Sequence, residues 1–148
     1  MRFLDAALKS LAVTDAQGNW NYGDRHLVIN GDAVDRGRDV FAVLWRLYTL
    51  SLQAKDAGGA VHLVLGNHEQ YLLRGNPSRA NRDHLYALTR MGGQVEAFAP
   101  DTLIGHWLRL QPVIIKSGRT VITHGGVNPA VADAGFTVNH LNSAMRRY

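Results

Sequence analysis

The chain has 148 residues, enough for one domain with a buried core, and its 46% hydrophobic content belongs to a globular protein rather than a disordered or fibrous one. No apolar run reaches the roughly 20 residues that span a bilayer, and Asp5 and Lys9 interrupt MRFLDAALKS, so neither a membrane segment nor a signal peptide is expected and the chain reads as cytoplasmic. The absence of cysteine excludes disulfides, thiolate metal sites and cysteine nucleophiles, and the net charge of +4 rests on 13 arginines against three lysines, planar forks that suit phosphate or carboxylate.

Phe3, Leu4, Ala7, Leu8 and Leu11 recur at helical spacing and give way to the turn formers Thr14-Asp15 and Gly18-Asn19. His26 to Asn30 (HLVIN) is a short apolar run that stops at Gly31, as a buried strand does. Asp39 is placed to cap a helix with Val40, Val43, Leu44, Leu47 and Leu50 on its apolar face, ended by Gly58-Gly59. A second buried strand is expected at Ala60 to Leu65 (AVHLVL), running into Gly66. Strand, helix and strand of these lengths make a βαβ unit with two parallel strands. From Glu69 to Leu110 the pattern is helical, broken at Asn76-Pro77, Gly92-Gly93 and Pro100. VIIK and RTVITH then flank Ser117-Gly118 as a hairpin, and Asn128-Pro129 opens a last helical region that runs to Arg146-Arg147-Tyr148. With no repeat and no linker, residues 1–148 read as a single domain, or part of one.

Each expected strand delivers a polar group at its carboxyl end: Gly31-Asp32, Gly66-Asn67-His68-Glu69 and His124-Gly125-Gly126. Ligands of α/β folds bind in the crevice beyond those ends, so the three sets are expected to converge. A carboxylate (Asp32), an amide oxygen (Asn67) and an imidazole (His124) form a mixed donor set that suits Mn²⁺, Fe²⁺ or Zn²⁺. Asp32, Asp35 and Arg36 crowd opposite charges into one short loop, which is costly unless a polyvalent ligand sits there. Arg36 never loses its proton and offers a fork for two phosphate oxygens. His68 is placed to act as a general acid with Asp35 orienting it, and a bound metal would activate water. Glu69 is expected to hold its loop through backbone hydrogen bonds.

GDAVDRG, GNHE and HGG, in that order and each after a strand, resemble the metal-dependent phosphatases of the calcineurin-like, phosphoprotein phosphatase superfamily. The likeness runs from about Leu4 to about Ala132, includes WLRLQP, and is strongest to the bacterial Shewanella-like phosphatases. It implies an α/β metallo-dependent phosphatase fold, two mixed sheets packed as a sandwich flanked by helices. It also implies two divalent metal ions (Mn, Fe or Zn), with Asp32 bridging them and Asn67 and His124 on the second. His68 would be the general acid, Asp35 its partner and Arg36 the phosphate clamp. The implied substrate is a phosphorylated molecule, a phosphoprotein or small phosphoester, with nucleotide phosphohydrolysis as second choice; no nucleic-acid partner is expected.

The family pattern opens with GDxHG on a first strand and brings a later histidine to the second metal, and neither is found here. His140 lies too near the HGG segment to substitute. The expectation is therefore an incomplete domain, inactive by itself, or a phosphate-binding module without a complete metal site. His26, His62, His84 and His106 read as structural. Arg74, Arg79, Arg82 and Arg90 suit either a site rim or a solvated helix face, and Tyr71 and Tyr86 are too few for a nucleic-acid surface.

Overall fold

A computed structural model describes residues 1–147. The chain opens on α1 (Arg2–Ser10) and builds the expected unit from β1 (His26–Asn30), α2 (Val40–Asp56) and β2 (Ala60–Val64). β1 and β2 pair in parallel, His26 opposite Ala60 and Asn30 opposite Val64, so both strands release the chain at the same end. Val40, Leu44, Leu47, Leu50 and Ala54 of α2 are buried at steps of three and four, a stripe of one helix face that covers the sheet. Leu63, Leu72, Leu88, Phe98 and Leu108 continue that core, and Phe41 stacks on Phe98 with ring centroids 5.0 Å apart.

The breakers fall where they were expected. They separate α3 (Asn67–Leu73), α4 (Arg82–Thr89), α5 (Gln94–Ala97) and α6 (Leu103–Arg109), followed by the hairpin of β3 (Ile114–Ser117) and β4 (Thr120–Thr123) and by α7 (Pro129–Asp133) and α8 (Val138–Arg147). The hairpin forms its own two-stranded antiparallel sheet. Asn142 of α8 pins it, accepting from the Val113 and Ile114 amides at 2.9 and 3.2 Å and donating to the Ile114 carbonyl at 2.9 Å. The Asn30 amide reaches the Thr123 carbonyl at 3.5 Å, joining the ends of β1 and β4. No helix among the described residues is long and apolar enough to cross a membrane.

Three local expectations are corrected. β1 is half-buried with exposed ends, because among the described residues β2 is its sole partner strand and its other edge is open. Leu65 leaves β2 and gives its amide to the Pro112 carbonyl at 2.8 Å. Asp39 precedes α2 but makes no side-chain cap; its carboxylate takes the Met1 ammonium at 3.1 Å. Asn128 does cap α7 ahead of Pro129, accepting from the Ala130 amide. Along α1, Leu8 is buried while Phe3 is 94% exposed, so the apolar stripe is only partly covered.

His26 and His62 bond to each other across the parallel strands at 3.1 Å, and His84 is buried on α4. Burial pushes the His62 imidazole below its ordinary 6.5, with His26 adding to the effect. Burial lowers His84 in the same way, against a smaller opposing pull from Asp35. A folded pKa below the unfolded one gives stability that is fully present above pH 6.5 and is lost as pH falls through the folded value. The urea midpoint is expected to drop between pH 7 and pH 5, and His84→Leu to flatten part of that slope. A slope unchanged by His84→Leu counts against the assignment.

Candidate active site

The site begins with a backbone constraint. Gly31 sits at φ +75°, where an added Cβ would lie 2.6 Å from Nδ1 of His124 and 2.9 Å from Cα of Gly66, so no side chain fits between the ends of β1 and β2 and the His124 ring. Gly31→Ala is expected to displace His124 and to lower stability, seen as a lower thermal midpoint; an unchanged midpoint would mean the loop yields freely. Beyond Gly31, Asp32 (φ 53°) and Asp35 (φ 97°) hold left-handed backbone that residues other than glycine rarely adopt.

Glu69 holds this strained loop. It is fully buried and accepts from the amides of Gly66 at 2.8 Å, Asp32 at 2.9 Å and Ala33 at 2.8 Å. One carboxylate thus ties the end of β1 to the first turn of α3, as the sequence led us to expect of Glu69. The Asp32 carboxylate in turn accepts the His68 amide on Oδ1 at 3.1 Å.

The other oxygen of Asp32 faces the hairpin, where Nε2 of His124 lies 3.2 Å away. Nδ1 of His124 donates to the Asn30 carbonyl at 2.7 Å, which fixes the ring and turns Nε2 toward Asp32. That carbonyl is the main cause raising the His124 pKa, with the charges of Asp32 and Glu69 adding to it against partial desolvation. Either a proton or a cation therefore belongs between Nε2 and Asp32. Two donors each about 2.1 Å from one ion stand about 3 Å apart, close to the observed spacing.

Asn67 is the first residue of α3, exposed, with no side-chain hydrogen bond to any described residue. It stands between Gly66 and His68, whose backbones both lie against Asp32. Among the described residues there is no cluster of three or more His, Cys, Asp or Glu able to hold a metal ion. The donors that meet are one carboxylate and one imidazole, Asp32 and His124, a pair that suits one divalent ion rather than two.

Nε2 of His68 lies 3.8 Å from the same Asp32 oxygen that His124 meets, and Nδ1 of His68 and Oδ2 of Asp35 are 2.9 Å apart, both residues buried. Arg36 is exposed and makes no ion pair or hydrogen bond with the described residues. It lines a cavity of about 620 Å³ together with Asp32, Asp35 and His68, walled by apolar residues such as Phe3 and Val40. A free guanidinium, a histidine held by a buried carboxylate and the Asp32 carboxylate thus open on one space, while His124 meets Asp32 from outside that lining.

Two contributors escaped the sequence reading. Tyr71 packs edge-on against the His68 ring at 5.3 Å, and its place one helical turn after His68 was a usable signal. The Asn30 carbonyl that orients His124 is a backbone atom, and no residue type announces it.

Residues 4–146 match the family model described as calcineurin-like phosphoesterase. The cold-active protein-tyrosine phosphatase of a psychrophilic Shewanella species superposes with a TM-score of 0.93 at 38% identity, covering 97% of this chain and 44% of that one. The symmetrical bis(5'-nucleosyl)-tetraphosphatase of Legionella pneumophila (strain Lens) is 32% identical over 117 residues, 75% of this chain and 37% of that protein. Shewanella-like protein phosphatase 2 of Arabidopsis thaliana is 33% identical over 70 residues, 47% of this chain and 18% of that protein. The chain therefore spans less than half the length of these relatives.

Proposed function

Because the chain belongs to the calcineurin-like phosphoesterase family, we propose that the protein hydrolyses phosphomonoesters with the help of divalent metal, phosphoproteins being the favoured substrates. The observation that carries this reading is the meeting of Asp32, Asp35 and His68 around the cavity beside Arg36, with His124 joined to the same Asp32 carboxylate. Asp32, Asn67 and His124 would hold one ion, and among the described residues Asp32 would be the sole donor to a second. Ions of the Mn, Fe or Zn class, when bound, lower the pKa of water and neutralise phosphate charge.

The chain's own residues account for the rest. Arg36 takes two non-bridging phosphate oxygens in its fork, and orients the ester over the cavity. His68 delivers a proton from Nε2 to the leaving oxygen, while its Nδ1–H donates to Asp35 and keeps the ring facing the substrate. The apolar residues of the cavity wall, among them Val40 and Val43, give an aryl or alkyl leaving group an apolar surface to lie against.

A second reading, cleavage of dinucleoside tetraphosphates, is favoured by the Legionella relative. Turnover of phosphotyrosine and phosphoserine peptides is to be compared with that of diadenosine tetraphosphate in the full-length protein, with Mn²⁺ and with chelator. Peptide turnover that chelator abolishes is expected. Turnover of the nucleotide alone overturns the favoured substrate, and no turnover of either favours a phosphate-binding role for Arg36.

A further inference from the structure

Two buried polar atoms near the site have no partner. Asp35, fully buried, uses Oδ2 for His68 and leaves Oδ1 unbonded, and His84, 1% exposed, leaves Nε2 unbonded. Orphaned atoms of this kind are rare in folded proteins and point to an internal water. The two residues sit on segments tied together: the amide of Asn81, which caps α4, donates to the Asp35 carbonyl at 3.3 Å, and His84 lies one turn further along that helix. Phe41 and Phe98 flank the His84 ring at 5.7 and 6.4 Å, so it has apolar neighbours rather than bulk solvent beside it. The Asp35 charge also acts on His84, opposing the effect of burial.

We propose that one enclosed water joins Oδ1 of Asp35 to Nε2 of His84, making His84 a positioning residue that acts on His68 through Asp35. The aspartate χ2 torsion is broad, so a carboxylate held through one oxygen leaves the imidazole it carries free to rock. Anchoring the second oxygen fixes the carboxylate plane and with it the His68 ring. Asp35 has special need of such a tie, because its backbone is held at φ 97°. Its functional consequence rests on the proton-donor role assigned to His68 above; the water and the coupling do not.

The test uses the full-length protein and three readouts. A crystal structure resolving solvent is expected to show the water between the two side chains. Ring ¹H–¹⁵N spectra are expected to show the His68 Nδ1–H signal shifted in His84→Leu and restored in His84→Gln, whose amide can meet the same water. Under the phosphatase reading, His84→Leu lowers kcat on the order of 10–100-fold with KM nearly unchanged, as loss of an outer hydrogen bond does elsewhere, and His84→Gln recovers most of it. A dry gap, an unmoved His68 signal, or equal loss in both variants in step with a lower thermal midpoint overturns the proposal. Should His84→Leu not fold, the water and the His84→Gln spectrum decide. Absence of hydrolysis in the parent protein removes the phosphatase reading and leaves the structural and spectral outcomes to judge the chain of contacts.

Discussion

Glu69→Ala is expected to cost the protein about 3 to 5 kcal/mol, since each buried amide left without its partner costs about 1–3 kcal/mol and partial water access relieves some of that. The measurement is a urea titration at neutral pH. Three amides from two separate chain segments converge on the one carboxylate. Its loss frees a loop in which Asp32 and Asp35 both occupy left-handed backbone, so strain now held in place relaxes with it. Glu69→Gln should lose roughly half as much: its single oxygen can serve the Gly66 and Asp32 amides, while the amide nitrogen faces the Ala33 N–H. Equal midpoints for Glu69→Ala and the parent would show that water replaces the carboxylate and that the knot is not what holds the loop.

The second large effect concerns His68. In the full-length enzyme, His68→Asn is expected to reduce kcat about 10²–10⁴-fold on alkyl phosphates such as phosphoserine peptides, the usual contribution of a placed general acid. The loss should shrink to less than tenfold on an aryl ester with an acidic phenol, because that leaving group departs without a proton. The variant keeps an amide that can still reach Asp35, so its stability should change little. An equal loss on both ester classes would falsify the proton-donor role and make His68 a binding residue instead.

Other expectations test the loop and the elements around it. Gly31→Ala reads whether the His124 ring needs the space that glycine leaves. The acid slope of stability reads the two imidazoles that fold neutral, His62 and His84. His124 works in the opposite sense: its raised pKa adds stability below pH 6.5 that is lost as pH rises through the folded value, so a cation bound at Nε2 must displace a proton there.

The amino-acid sequence by itself determined the order and type of the elements, because glycine, proline and asparagine break the chain locally and the apolar spacing of α2 needs no distant partner to be read. It also determined which side chains stand at the carboxyl ends of β1, β2 and β4. From this came Asp32, Asn67, His68 and His124 as candidates, and Glu69 as the holder of its loop, whose three backbone hydrogen bonds the structure shows. Only the tertiary structure decided that Nε2 of His124 meets Asp32 at 3.2 Å, that the Asn30 carbonyl aims the ring, and that Asp35 and His84 are buried with an unbonded atom each. Contacts of this kind join residues up to 94 positions apart through backbone carbonyls and side-chain rotations. No local propensity encodes them, since they come from the packing of the hairpin and α4 against the βαβ unit.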